Sequence, residues 1–164
     1  MALTTNINYL QPTGFKFVIS KDNYSNIEYF AQSFTHPGAS VSPVEIPTRR
    51  INRVPMAGDK ISYGEMSVDI ILDEDMSAYK EMQNWLERIV NDGHVEFEDP
   101  GGKAPTASDI TIMILSSHNN TNVKIKYHDC IPVSIGQITL ASNVQDVAFT
   151  TFNTSFRFST FEII

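Results

Sequence analysis

Apolar and polar residues alternate most clearly between positions 65 and 72 (E-M-S-V-D-I-I-L). The apolar side of this segment is formed by Met66, Val68, Ile70 and Leu72. A period of two with β-branched residues predicts a strand with one buried face. The opposite side is formed by Glu65, Ser67, Asp69 and Ile71. We expect that side to face water or another subunit.

The apolar period changes to about 3.6 residues directly after this strand, which predicts an α-helix over 76–91. Its apolar positions are Met76, Tyr79, Met82, Leu86, Ile89 and Val90, with Trp85 beside them. The acidic residues 73–75 precede it, as is favourable at a helix N-terminus, and Gly93 follows it, as is typical of a C-cap. We expect Trp85 and Leu86 to lie in the core.

The remaining segments predict a mainly β protein with antiparallel strands. Besides 65–72, strands are expected at 15–19, 28–35, 109–116, 123–127 and 137–140, and extended segments at 44–47 and 129–135. The last strand alternates clearly, and its phenylalanines Phe152, Phe156 and Phe158 are expected in the core. We predict seven or eight strands in an antiparallel β-sandwich or partly open barrel, flanked by one α-helix.

The length of 164 residues indicates a single domain, 1–164. We expect an N-terminal arm at 1–14, a loop or long hairpin at 49–62 and a long loop at 96–108. Loops of that length are uncommon and tend to be functional or disordered. No apolar run is long enough for a membrane helix, and the N-terminus lacks the pattern of a signal peptide. The single cysteine indicates no internal disulfide and synthesis in the cytoplasm.

The net charge of −7 disfavours tight binding of nucleic acid, which needs a basic surface. One basic cluster is present, formed by Arg49, Arg50 and Arg53. It is either a solvated loop or a patch that meets an acidic surface on a neighbouring copy.

The sequence shows no arrangement of residues that predicts catalysis, a metal site or a cofactor. Asp73, Asp75 and Ser77 imitate the start of a calcium loop, but the glycine and the final glutamate that such a loop needs are missing. His128 and Cys130 are two apart on an extended segment, so we expect them on one face. They lack an orienting third group. We therefore expect a structural protein and not an enzyme.

Two segments of the chain carry a family resemblance. The first runs from Tyr29 to Trp85 and includes Y-F-A-Q-S-F-T-H-P-G-A-S, V-P-M-A-G-D-K-I-S-Y and L-D-E-D-M-S-A-Y-K-E-M-Q-N-W-L; the second is D-C-I-P-V-S-I-G-Q-I-T-L at 129–140. In their order and spacing these segments resemble tail-tube proteins of contractile-tailed bacteriophages. With the long final strand, the resemblance covers most of the chain.

This resemblance implies subunits that form hexameric rings stacked into a hollow tube, with their inner sheets joined into one barrel around the lumen. It implies a surrounding tail sheath protein, baseplate or initiator and tail terminator proteins at the ends, and DNA that passes without specific binding. It places the protein in the tail of the virion after assembly in the host cytoplasm. Tube proteins of type VI secretion look similar in architecture. The alternatives are the tail-tube initiator at the baseplate junction, a type VI secretion-like tube protein and a monomeric binding module.

Within this interpretation, the segment around 49–62 is expected to reach a neighbouring subunit. The expected inter-subunit contacts are Arg49, Arg50, Arg53, Met56, Asp59, Lys60 and Ile61. The polar side of the strand at 65–72 is the expected lumen surface, with Glu65, Ser67 and Asp69. Carboxylates there would repel DNA phosphates, so that DNA slides without adhering.

Overall fold

The computed structural model describes residues 9–10, 12–47, 53–92, 106–141 and 149–164, with the backbone alone at 21–22 and 91–92. Its helices are α1 (Lys21–Phe30) and α2 (Ser77–Asp92). Its strands are β1 (Phe15–Val18), β2 (Ala31–Thr35), β3 (Ala39–Val41), β4 (Val44–Ile46), β5 (Val54–Met56), β6 (Ile61–Tyr63), β7 (Met66–Ile71), β8 (Ser108–Leu115), β9 (Thr121–Ile135), β10 (Thr151–Arg157) and β11 (Thr160–Ile163). The strand pairs are antiparallel, which confirms the predicted mainly β class.

The long strand β9 belongs to two sheets that enclose the core. Its first part pairs with β8 and β11, and β8 pairs with β1; we call these four strands the back sheet. Its last part pairs with β10, and the order continues through β7 to β2; we call these four strands the front sheet. Strands β1 and β2 lie at opposite ends of the order, so the described strands do not close into a barrel.

The pairing of β7 with β10 places the alternating pattern at the centre of the core. Phe152 lies opposite Ile70, and Phe156 lies opposite Met66. All four side chains are at most 1% exposed. The Thr154 hydroxyl between them donates to the Val68 carbonyl at 3.2 Å, so this buried polar group is satisfied. The predicted strand and its buried face are confirmed.

Helix α2 covers the core with the face that its apolar period predicts. Trp85 is fully buried, stacks on Tyr24 at 4.2 Å between ring centroids, and donates from its indole N–H to the Thr106 carbonyl at 2.7 Å. The helix begins at Ser77, one residue later than predicted, because Met76 has a φ of 54° in the left-handed region. Asp73 accepts from the Ala78 N–H at 3.5 Å. Although desolvation opposes ionisation, hydrogen bonds from Ser77 and Ala78 lower the pKa of Asp73.

Helix α1 is the main error of the sequence prediction, which placed a strand at 28–35 and only one helix in the chain. Residues up to Phe30 are helical, and β2 begins at Ala31. The carboxylate of Glu81 on α2 accepts from the Asn26 side chain and from the Ile27 backbone N–H. Contacts between α1 and α2 therefore support a helix whose aromatic residues locally favour a strand.

Two further predictions differ from the structure. Residues 137–140 form no strand, although their apolar and polar residues alternate. The described chain has more strands than the seven or eight predicted, because the short strands β3 and β4 pair with β6 and β5 to form a long hairpin that includes part of the segment 49–62. The expected core residues Trp85, Phe152 and Phe156 are buried and Phe158 packs against them, whereas Leu86 is half-buried outside the core cluster.

Replacing Trp85 tests how much the packing of α2 on the core contributes to the free energy of unfolding. We expect Trp85→Ala to lower the free energy of unfolding by about 3–5 kcal/mol, because it removes a large buried ring and leaves a cavity. Val90 lies on the same helix but is 65% exposed, so Val90→Ala is the matched control and should change stability by less than about 0.5 kcal/mol. Urea unfolding of both variants measures the difference, and equal effects would contradict the assignment of Trp85 to the core.

Candidate functional site

A hairpin extends the front sheet beyond the paired ends of β2 and β7. Strand β3 pairs with β6, and farther out β4 pairs with β5. We call this unit the arm; its described residues are 39–47 and 53–63. Short links at 36–38 and 64–65 separate it from the front sheet, and the Gly64 N–H donates to the Gly38 carbonyl between them at 2.9 Å.

The outer part of the arm is an amphipathic ribbon with an exposed apolar face. Opposite residues of paired strands project to the same side, and the pairs here are Val44 with Met56 and Ile46 with Val54. These four side chains, which we call the arm face, are between 41% and 59% exposed. Val41 and Ile61, paired nearer the base, are exposed as well. Contiguous exposed apolar residues of this kind mark interaction sites.

The opposite side of the ribbon is polar. Arg53 Nη1 lies 2.7 Å from the Glu45 carboxylate, and both side chains are more than half exposed. From the sequence we expected Arg53 to pair with acidic residues of a neighbouring subunit. In the structure Arg53 is paired with Glu45 of its own arm. An ion pair at this exposure contributes only about 0–1 kcal/mol.

The other expected contact residues divide between the arm and the undescribed part of the chain. Met56 belongs to the arm face, Ile61 lies on β6, and Asp59 and Lys60 are exposed between β5 and β6. Arg49 and Arg50 lie outside the described residues.

Aromatic side chains fix the base of the arm to both sheets. The Tyr63 ring lies 5.5 Å from Phe158 and 5.4 Å from Phe161, measured between centroids. His36 Nδ1 and the Tyr127 hydroxyl form a hydrogen bond of 2.5 Å. Tyr127 is fully buried, and burial raises the pKa of its hydroxyl well above the usual range. These contacts set the direction in which the arm leaves the sheet.

The outward side of the front sheet is a second candidate surface, formed by polar side chains that bond to one another. We call it the polar face; its residues are Ser33, Ser67, Asp69, Ser134, Asn153 and Ser155. The Asn153 amide donates to Ser67 and to Asp69, each at 2.7 Å. Ser33 donates to the other Asp69 oxygen, and Ser134 bonds to Ser155.

The polar face also carries little net charge. Asp69 is its one carboxylate, and Glu65 at its end lies 3.6 Å from Arg157 Nε. Of the expected lumen residues, Ser67 and Asp69 therefore lie on this face, and Glu65 lies beside it with a basic partner.

The front sheet ends in two free edges among the described residues. One is the outer side of β2, the last strand in the order. The other is the segment 131–135 of β9, which pairs with β10 but extends past the end of β8. Ile131 and Val133 in that segment are 39% and 44% exposed. Free edges with apolar neighbours are sites where another chain pairs.

The described residues show no arrangement of side chains that is typical of an active site. They hold no group of three or more His, Cys, Asp and Glu side chains placed to bind a metal. The expectation that His128 and Cys130 share a face is wrong, because Asp129 has a φ of 54° and the register shifts there. Cys130 is fully buried, which raises the pKa of its thiol to about 12, whereas His128 lies near Asp109 and Glu162 at the surface. None of the described helices is long and apolar enough to cross a membrane.

Comparisons with known proteins agree with this geometry. The family model for phage tail tube proteins matches residues 2–164. No curated protein matches the chain in sequence. A chain of the anti-feeding prophage baseplate is similar in structure, with a TM-score of 0.67, 10% identity, and coverage of 99% of this chain and 97% of that one. A chain of the sheath–tube complex of the extracellular contractile injection system PVC has a TM-score of 0.65, 10% identity and 99% coverage of both.

A crystal structure of an Hcp protein is also similar, with a TM-score of 0.50, 10% identity, and coverage of 92% of this chain and 96% of that one. At these identities the likeness concerns the fold.

Gly58 provides a test of the arm geometry. A Cβ at this position would lie 2.1 Å from the Ser42 backbone oxygen, so Gly58→Ala must displace the arm backbone. A Cβ at Gly38 would meet nothing within 4 Å, so Gly38→Ala is the matched control. We expect Gly58→Ala to lose amide hydrogen-exchange protection in β3–β6 while the core strands keep theirs. Unchanged protection of the arm would contradict the close contact.

Proposed function

The chain belongs to the phage tail tube protein family, and from this premise we propose that it polymerises as stacked hexameric rings into the inner tube of a contractile tail, through which DNA passes. The observation that carries this proposal is the arm face, an exposed apolar surface on a projecting ribbon that has no partner among the described residues. The free edges and the polar face of the front sheet support it.

The free edges supply a way to close the ring. We propose that β2 of one copy pairs with residues 131–135 of the next copy around the ring. Each such junction satisfies unpaired backbone groups on both strands, and complete closure removes every free edge of the front sheet. Ile131 and Val133 would be covered in the same step, which adds apolar burial to the backbone hydrogen bonds.

The arm supplies the larger apolar contribution. Full burial of a Val, Ile or Met side chain stabilises by about 1.5–3 kcal/mol, so a half-exposed one contributes about 1 kcal/mol when covered. With the four residues of the arm face and with Val41 and Ile61, each arm would contribute roughly 6 kcal/mol, repeated at every subunit. The exposed pair Arg53–Glu45 contributes much less.

The polar face fits the wall of a DNA conduit. We propose that it lines the lumen, because the opposite side of its two central strands, β7 and β10, is buried in the core. Its donors and acceptors are largely used within the face, and its charge is weakly negative. Its one basic side chain among the described residues, Arg157 at the end of β10, lies 3.6 Å from the Glu65 carboxylate, so such a wall would hold phosphates only weakly, since binding to the DNA backbone depends on Lys and Arg.

The remaining proposals follow from the family. A tail sheath protein would surround the tube, baseplate or initiator and terminator proteins would meet its ends, and the mature protein would be part of the virion tail after assembly in the host cytoplasm. The role is structural and not enzymatic. The initiator protein shares the fold, and the two roles differ in one measurement: a tube protein polymerises into long tubes, whereas an initiator stops at a ring.

Electron microscopy of the purified protein tests the proposal. We expect rings and tubes with a central channel in negative stain, and a species much larger than 18.4 kDa by size exclusion. A folded monomer under all assembly conditions would contradict the proposal.

A charge on the arm face should block polymerisation without unfolding the subunit. We expect Met56→Glu to remove tubes from micrographs and from the pellet after centrifugation, because each contact would bury an unpaired carboxylate. Pro55→Glu places the same charge on the opposite side of the ribbon and is the matched control, which should still form tubes. Both variants should keep the thermal unfolding midpoint of the parent, since both positions are exposed.

A basic substitution on the lumen side should make the tube retain DNA. Thr151 is exposed on β10, on the same side as Asn153, so Thr151→Lys would add one cation per subunit to the channel wall. We expect short DNA to sediment with tubes of this variant at low salt and to be released as salt rises. Thr160→Lys adds the same charge on β11 of the back sheet and should retain less DNA. Equal retention would reject the polar face as the lumen wall.

A further inference from the structure

The two ends of the strand order, β1 and β2, are separated by a gap that contains two adjoining grooves. An apolar groove of about 450 Å³ lies between residues 12–15 and residues 32–34 of β2. A second groove of about 500 Å³ lies between β1 and the end of α1, and we call it the helix groove. Its walls are residues 15–18 of β1, Ser25, Glu28 and Tyr29 of α1, and Ala31 at the start of β2.

The helix groove has the features of a site for an extended apolar segment. Strand β1 is the last strand of the order, so its outer edge has no strand partner among the described residues. Tyr29, at the rim, is 81% exposed. The Glu28 carboxylate at the same rim already accepts from the Ile19 N–H at 3.1 Å. A free strand edge beside a concave surface is the arrangement that receives an added strand of another chain.

The segment 137–140 (Q-I-T-L) has the complementary features. Its alternation predicts a strand, yet it forms none within the subunit. Ile138 packs against the core of its own subunit, whereas Leu140 is 80% exposed. The segment follows directly after residues 131–135 of β9, the free edge that we assign to the ring junction. A strand pattern without a strand partner, together with an exposed leucine, indicates a contact outside the subunit.

We propose that the segment 137–140 of one copy docks into the helix groove of the next copy in the same ring, with Leu140 beside Tyr29 and the backbone along β1. This inference rests on the proposed function, and in particular on the junction between β2 and β9. It adds a second contact to that junction and gives a role to a segment that has no strand partner in its own subunit.

The strand directions lead the segment to this groove. The pairs β2–β7, β7–β10 and β10–β9 are all antiparallel, so β9 and β2 run in opposite directions. Rotation about a ring axis preserves this relation, and the proposed junction is therefore antiparallel. Residues 131–135 of one copy then run from the Thr35 end of β2 towards its Ala31 end. Since Ala31 lines the helix groove, the chain leaves the junction where that groove begins.

The length and path of the segment fit the groove. Gly136 continues the ladder with β10, because its N–H donates to the Asn153 carbonyl at 2.6 Å. The chain therefore keeps the direction of β9 beyond Ile135. At about 3.3 Å per residue, Leu140 lies up to roughly 17 Å past Ile135, whereas the four residues of β1 span about 13 Å. Leu140 thus reaches along the whole groove without any change in β9.

Cysteine cross-linking within assembled tubes tests this contact. A double variant carries Leu140→Cys and Tyr29→Cys in one chain, and its tubes are oxidised with diamide. A disulfide forms only where the two Cβ atoms approach to about 3.5–4.5 Å. The native Cys130 is fully buried and gives little background. Because each copy would be linked to the next around the ring, we expect a ladder of covalent species on a denaturing gel that ends at the hexamer.

The matched control moves one cysteine to the other end of the same strand. Leu140→Cys with Thr35→Cys should give no ladder, because Thr35 is exposed but lies at the end of β2 that is away from the helix groove. Leu140→Cys alone should also give none. Ser25→Cys lines the same groove and serves where Tyr29→Cys disturbs assembly.

Tubes that form normally but give no ladder with either Tyr29→Cys or Ser25→Cys would overturn the inference and leave the proposed function intact. A ladder that continues past the hexamer would overturn it as well, because the segment would then contact an adjacent ring. Cross-linking to Thr35→Cys at the same yield would contradict the direction of the junction. Absence of rings and tubes from the unmodified protein would contradict the proposed function itself.

Discussion

The register between β7 and β10 is the constraint on which the other surfaces of this protein depend. Met66, Val68 and Ile70 pair with residues of β10, and one side of the pair is completely buried. A shift by one residue would turn these side chains to the outside and bring Asp69 into the core. Burying an unpaired carboxylate is far more costly than burying an alkyl group, so the register is fixed strongly. The same register aligns Ser33, Asp69 and Asn153 across three strands of the polar face.

Helix α2 completes the core, and its contacts explain why the second helix forms. Trp85 stacks on Tyr24 of α1, and Arg88 donates to the Tyr24 hydroxyl at 2.7 Å. Glu81 accepts hydrogen bonds from α1 at Asn26 and Ile27. Tertiary contacts of this kind supply most of the stability of short helices in proteins, because nucleation in water is unfavourable. The two helices therefore cover the core together.

The monomer exposes several surfaces that usually have a partner, which agrees with a structural role. It leaves an apolar ribbon face, two sheet edges and an apolar groove without partners among the described residues. Each of these costs free energy while it is exposed to water, and contact with another copy would remove that cost. The polar groups of the polar face, in contrast, are satisfied within the subunit. The proposed assembly surfaces and the proposed lumen surface therefore lie on different faces of the subunit.

Local periodicity by itself determined the strand at 65–72, the helix that follows it and the final strand. These segments carry enough apolar residues at one spacing to specify which side is buried. The sequence also predicted a loop or long hairpin at 49–62, and its alternation predicted that Ser67 and Asp69 face outward. Its order of segments indicated the family, which the family model for residues 2–164 then showed.

Tertiary structure alone decided the features that depend on residues distant in the chain. Helix α1 forms where local propensity favoured a strand, because Glu81 and Trp85 contact it from α2. Residues 137–140 alternate but form no strand, since alternation does not provide a partner with which to pair. Arg53 pairs with Glu45 only because β4 and β5 bring them together. An apolar groove has walls from β1 and β2, the two ends of the strand order. Periodicity reports the surroundings of each segment, whereas pairing is a property of two segments that meet only in the folded chain.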